Sequence, residues 1–183
     1  MNKSALQPPA ILVLTGASGA GKTTLALKLN ELAIPGVEGI NCDRVKVEVD
    51  ETGDSSDQQA NILRYWISHF SQPETGIELA ALDTQIRPHV ALEVLSHAAV
   101  EHAQIVLVDC EPAKRNERLH RERGQPELAN PQMDCWAAYL RGQADALKLS
   151  IIDTSDDHVD KNLVELELLV RDLLLRSRAA AMR

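Results

Sequence analysis

At 183 residues, with 44% hydrophobic and 25% charged residues, the chain has the size and composition of one globular domain with a real core, too short for two. A net charge of −8 argues against a nucleic acid or anionic membrane held by general electrostatics, and no apolar stretch approaches the ~20 residues that span a bilayer. Cys42, Cys110 and Cys135 form no C-x-x-C pair and Met1–Pro9 lacks a basic segment followed by an apolar core, so the expectation is a cytoplasmic protein with reduced thiols and no zinc site.

Met1–Pro9 reads as a polar lead-in ending in Pro8-Pro9. A first strand is expected over Ile11–Leu14, then a glycine-rich turn, then a helix from Lys22 to about Leu32, ended by Pro35-Gly36. A second strand is expected over Gly39–Cys42, followed by Asp43-Arg44 and a polar loop to Ser56. Ile62, Leu63, Trp66, Ile67 and Phe70 fall on one face of a helix reaching Phe70. A third strand, Ile77–Leu82, ends in Asp83. Pro88 then opens a helix expected to run to about His102. The fourth strand, Ile105–Val108, ends in Asp109, and Glu111-Pro112 opens a basic helix to about Arg123. Gly124–Pro131 is a loop, Met133–Leu147 a helix, and Leu149–Ile152 a fifth strand ending in Asp153. The last helix is expected to begin after Ser155 or Asp156.

Short strands that are apolar throughout and alternate with helices imply a parallel sheet covered on both faces. Ligands of such sheets gather at the carboxyl ends of the strands, where Thr15-Gly16, Asp43, Asp83, Asp109 and Asp153 all lie. The first strand leads into Gly16-Ala17-Ser18-Gly19-Ala20-Gly21-Lys22-Thr23-Thr24, a G-x-x-x-x-G-K-T phosphate-binding loop in its required strand–turn–helix setting. Amide N–H groups of the turn and the positive end of the new helix favour a bound anion. Lys22 supplies a mobile charge for the β- and γ-phosphates of a nucleoside triphosphate, and Thr23 a hydroxyl for Mg²⁺.

With these features in place, the chain resembles the small P-loop kinases: adenylate, shikimate and gluconate kinases and their relatives. More narrowly it is similar to bacterial ATP-binding proteins labelled AAA-type ATPases whose substrates are unassigned. The resemblance runs from Ile11 to about Leu169. It implies a three-layer α/β/α fold with a five-stranded parallel sheet in the order 2-3-1-4-5. It further implies one domain over residues 1–183, with a core at about 10–175 and a lid at about 113–132. The implied activity is Mg²⁺-dependent transfer of the γ-phosphoryl group of ATP to a small-molecule acceptor, by a monomer or homodimer with no nucleic-acid or membrane partner.

The resemblance also assigns roles. Asp83 serves the Mg²⁺ shell with Thr23, and Arg87 holds a substrate anion. Arg118, joined by Arg121 or Arg123, closes on the ATP phosphates. Asp43 is the base or anchor for the acceptor hydroxyl, beside Arg44 and Trp66, although the shikimate-type D-x-D doublet is absent at Asp43-Arg44-Val45. Each has a plainer reading: Asp83 as a helix cap, Arg87 as a surface charge, Arg115–Arg123 as a solvated face paired with Glu117 and Glu122, Asp43 as a turn residue and Trp66 as core. Asp109 is the alternative acidic partner of the loop. Asp153-Thr154-Ser155 either packs near the adenine or caps the last helix. A regulatory ATP-binding protein or weak ATPase is the alternative function. No N/T-K-x-D guanine signature occurs, and the chain is too short for the second helical domain of an AAA+ motor.

Overall fold

The computed structural model of the chain describes residues 8–42, 55–72, 75–156 and 158–182. In chain order the elements are β1 (Ala10–Thr15), α1 (Lys22–Glu31), β2 (Val37–Asn41), α2 (Ser55–Phe70), β3 (Leu79–Asp83), α3 (Pro88–His97), β4 (Ala103–Asp109), α4 (Pro112–Arg121), α5 (Pro131–Leu147), β5 (Ser150–Asp153) and α6 (Val159–Ala181). The strands form one parallel sheet in the order β2-β3-β1-β4-β5. Helices cover both faces, giving the expected three-layer α/β/α fold.

Every residue of β1 and of β3 is buried, which is why their sequences are apolar up to the last residues, Thr15 and Asp83. Side chains of β1 alternate between the two cores. Leu12 and Leu14 pack with Leu25 and Leu29 of α1 and with Leu166, Val170 and Leu173 of α6. Ile11 and Val13 face the opposite layer, built from Leu63, Trp66 and Ile67 of α2 and Ala91 and Val94 of α3. A smaller cluster of Leu107, Leu140 and Ala144 seats α5.

At Gly39 the backbone of α1 comes so close to β2 that a Cβ would lie 2.1 Å from the Ala26 carbonyl oxygen. The Asn30 amide spans the same junction, donating to the Gly39 carbonyl at 2.9 Å and accepting from its N–H at 2.7 Å. These contacts seat α1 against β2, with the glycine-rich loop before α1 following the carboxyl end of β1.

Several boundaries differ from expectation for local reasons. The α3 helix stops at His97 instead of about His102. Ala99 turns left-handed at φ 52° and Val100 N–H bonds the Leu95 carbonyl, so Ala103 and Gln104 join β4. The last helix starts at Val159, beyond Ser155 and Asp156. Asp153 accepts the Ser155 hydroxyl at 2.5 Å and its N–H at 2.9 Å, so these residues form a turn and do not cap α6. Asn130 caps α5 by accepting from Met133 N–H at 2.9 Å, which moves the helix start forward to Pro131.

Candidate functional site around the phosphate-binding loop

The loop is held from below by three neighbours. Gly16 lies so close to β4 that a Cβ would sit 2.2 Å from the Val108 carbonyl oxygen. Gly19 takes φ 82°, and a Cβ there would lie 2.9 Å from Arg115 Cγ and 3.0 Å from Leu119 Cγ of α4. Thr15 donates its hydroxyl to the Ile86 carbonyl at 2.5 Å, tying the end of β1 to the segment after β3. Gly21 caps α1 in the left-handed region at φ 93°, and Lys22 is the first helical residue. The Lys22 side chain is buried and its Nζ donates to the Ala17 carbonyl at 3.0 Å, folding back over the loop.

Parallel pairing places Asp83 beside Leu14, at the sheet's carboxyl edge. Asp83 is 3% exposed and its Oδ2 accepts from Thr23 Oγ1 at 2.5 Å. The cap of α3 is Arg87, so Asp83 is not a helix cap. The alternative carboxylate is occupied elsewhere: Asp109 accepts Cys110 N–H at 3.0 Å and pairs with Arg141 at 3.0 Å. Of the strand-end acids weighed for the loop, Asp83 is the one in contact with Thr23.

A cavity of about 280 Å³ opens onto the loop, lined by Gly19, Gly21, Lys22, Thr23, Thr24, Leu25, Arg118, Glu122, Arg123, Thr154, Val159 and Asn162. Arg118 is anchored on its wall, donating to Thr154 Oγ1 at 3.0 Å and to the Thr154 carbonyl at 2.6 Å. Thr154 in turn donates to the Ala20 carbonyl at 2.7 Å, so one threonine joins α4, the turn after β5 and the loop. The open choice between the two further arginines now has a geometry. Arg123 lines the cavity, whereas Arg121 has a 77% exposed side chain and pairs with Glu117 at 2.8 Å.

The other expected site residues are spread out. Arg87 lies over the Trp136 ring, its guanidinium carbon 5.8 Å from the centroid, on the side where α3 meets α5. Trp66 is 9% exposed and stacks on Phe70 within the α2–α3 core, the position of the plainer core reading. Asp43 and Arg44 lie outside the described residues.

Two residues escaped the sequence reading. Arg115, counted there within a basic face, is 1% exposed; it donates to the Cys110 carbonyl at 3.1 Å and pairs with Asp134 of α5. It is a strut under Gly19 that joins the loop to α5. Asn162 is the second: a buried amide in a helix whose other buried residues are leucine and valine. Electrostatics near the loop follow burial and hydrogen bonding. Burial pushes the Cys110 thiol up despite the nearby Arg118 charge. The hydroxyl and amide of Ser155 hold the Asp153 carboxyl below its usual range.

No family model matches the chain, and no curated protein matches it in sequence. Solved structures do. A gluconokinase from Sinorhizobium meliloti 1021 aligns over 93% of this chain and 99% of its own with a TM-score of 0.57 at 16% identity. A shikimate kinase from Acinetobacter baumannii aligns over 92% and 96% with a TM-score of 0.58 at 17% identity. The chain has the fold of the small P-loop kinases. A further neighbour, the APS kinase of Mycobacterium tuberculosis, aligns over 92% and 98% with a TM-score of 0.53 at 18% identity. These matches span almost the full length of both chains.

Proposed function

We propose that the chain is a Mg²⁺-dependent phosphotransferase that moves the γ-phosphoryl group of ATP to a small molecule. The observation that carries this reading is the Thr23–Asp83 contact at 2.5 Å beside a cavity lined by Lys22, Arg118 and Arg123. Gluconate, shikimate and APS kinases are named among the structures with this fold, which supports transfer to a small acceptor over a motor or a GTPase switch.

The residues fit a magnesium ion. A hydroxyl with a buried carboxylate behind it suits a small hard cation that keeps most of its waters and takes its other ligands from phosphate. Thr23 would hold the ion directly and Asp83 would orient it through water. When bound, the ion neutralises charge that grows on the phosphate oxygens.

The chain's own groups supply the rest. Loop amides from Gly16 to Thr24 and the start of α1 bind the phosphates. Lys22, released from the Ala17 carbonyl, follows the charge that moves as the phosphoryl group transfers. Arg118, with two bonds to Thr154, presents a fixed plane of positive charge, and Arg123 adds a second cation from the lid segment. On the acceptor side, β2 ends at Asn41, paired with Asp83, and the chain then leads to Asp43. We assign Asp43 as base or anchor for the acceptor hydroxyl, on chemistry alone: that hydroxyl sheds its proton as the phosphoryl group arrives.

The test is ADP formation with Mg²⁺·ATP, screened against nucleosides, nucleotides, sugar acids and aminoglycosides. Stimulation by one acceptor class, lost in Lys22→Ala, is the expected result. Stimulation only by a protein partner would replace the kinase reading with a nucleotide switch.

A further inference from the structure

Among the described residues, the four most exposed large apolar side chains are Val164, Leu168, Leu175 and Met182, at 55%, 64%, 66% and 88%, and all lie on or at the end of α6. At 3.6 residues per turn their directions fall within about 40° of one another, so they form one stripe along the helix. The opposite side, with Leu166, Val170, Leu173 and Leu174, packs in the core. Exposed leucines scattered singly need no explanation, but an aligned outward row along a 23-residue helix does. The charges of α6 are also unevenly placed. Residues 159–170 carry Asp160, Glu165 and Glu167 against Lys161, and residues 171–181 carry Arg171, Arg176 and Arg178 against Asp172. Laid parallel to itself, this helix sets like charge on like; laid antiparallel, it sets its acidic half on its basic half. The flanks agree. Glu165 and Arg176 lie on one side of the stripe, Glu167 and Arg178 on the other. The midpoint of each pair falls within about one residue of the midpoint of Leu168 and Leu175.

We infer that this face of α6 docks on the same face of a second copy of the chain, antiparallel about a two-fold axis near Arg171 and Asp172. Leu168 then meets the partner's Leu175, Glu165 the partner's Arg176 and Glu167 the partner's Arg178. Every contact of a two-fold interface occurs twice, so the surface must complement itself, as this one does. At the axis, Arg171 and Asp172 keep their own partners, Glu167 and Arg176, at 2.7 and 2.9 Å. Arg178 holds Glu78 of its own chain at 2.7 Å, so the dimer brings a second carboxylate to arginines already held in place. The acidic first half argues against an anionic lipid surface as the occupant, because helices that lie on membranes carry lysine and arginine along their polar side. A face about 35 Å long makes a small interface, so association in the micromolar range is expected. The inference is independent of the reaction.

The experiment is sedimentation equilibrium of the full chain over about 1–100 µM. The expected result is a rise from the 20.1 kDa mass of one chain toward twice that value. Leu168→Glu and Leu175→Glu, at exposed positions where glutamate suits a helix, should keep the circular-dichroism spectrum and its thermal midpoint and leave a monomer. Glu165→Arg and Arg176→Glu should each raise the dissociation constant about tenfold, because each sets like charges together twice. Mixed in equal amounts, these two variants should recover the parent's affinity, since the reversed pair and the native pair then each bring opposite charges together. A monomer at every concentration overturns the inference. So does a dimer indifferent to the leucine substitutions, or a mixture no tighter than its components. Flotation of a monomeric parent with phosphatidylglycerol vesicles, lost in Leu168→Glu, would give the face to a lipid surface and overturn it too.

Discussion

Arg115→Ala is the substitution whose cost follows most fully from the geometry. The side chain is 1% exposed, donates to the Cys110 carbonyl at 3.1 Å, pairs with Asp134 and lies against the backbone of Gly19. Truncation leaves the Cys110 carbonyl without this donor, at about 1–3 kcal/mol. It also opens a cavity of the kind that costs about 2–5 kcal/mol when a large buried side chain becomes alanine. The ion pair adds little, because Asp134 keeps 42% of its surface exposed and regains water when the arginine leaves. The expected loss is therefore about 3–8 kcal/mol, read as a fall in urea midpoint at constant slope. Arg115→Met separates the contributions by filling the volume without the donor, and should cost only about 1–3 kcal/mol. Because Gly19 rests on this side chain, the alanine variant should also weaken ATP binding. Both variants within about 0.5 kcal/mol of the parent would refute the strut.

Asp83→Asn should raise the Mg²⁺ concentration needed for half-maximal ATP turnover by about 10–100-fold, the usual effect of losing an outer-shell carboxylate; an unchanged Mg²⁺ curve would remove Asp83 from the metal's surroundings. Arg118→Ala should raise the KM for ATP about tenfold or more, and Arg121→Ala should change it less than about threefold, a difference that steady-state kinetics resolves. Thiol labelling at neutral pH should modify exposed Cys135 first, with Cys42 and Cys110 slow until the chain unfolds, since both are buried and burial disfavours the Cys110 thiolate. The Arg178 guanidinium holds the Glu78 carboxyl below its ordinary range through bonds of 2.7 and 2.9 Å. The stability it contributes is thus complete above the unfolded carboxylate pKa and fades as pH falls through the lowered folded value. Comparing Glu78→Gln with the parent at neutral and acid pH, with and without high salt, should show a small difference confined to neutral pH and low salt.

The sheet and the loop were legible because their signals are local. Buried parallel strands need continuous apolar runs, and Gly16–Thr23 needs its residue types in one order. Asp83 could be read because a strand end fixes where its residue goes. Arg115 could not: arginines at i, i+3 spacing describe a solvated face equally well, and its burial depends on α5 bringing Asp134 over from nineteen residues on. Asn162 hid for the opposite reason, as the one polar residue on the buried face of a helix whose other polar residues face outward. The end of α3 was misjudged because Ala99 adopts a left-handed conformation that alanine does not advertise.

Transfer of label decides the central claim most directly. With ATP labelled in its γ-phosphoryl group, Mg²⁺ and the acceptor class that most stimulates ADP release, label should appear in the acceptor in proportion to the ADP formed. Lys22→Ala should abolish both signals. Label recovered only as inorganic phosphate, with no acceptor carrying it across the screen, would contradict a phosphotransferase and leave an ATPase in its place.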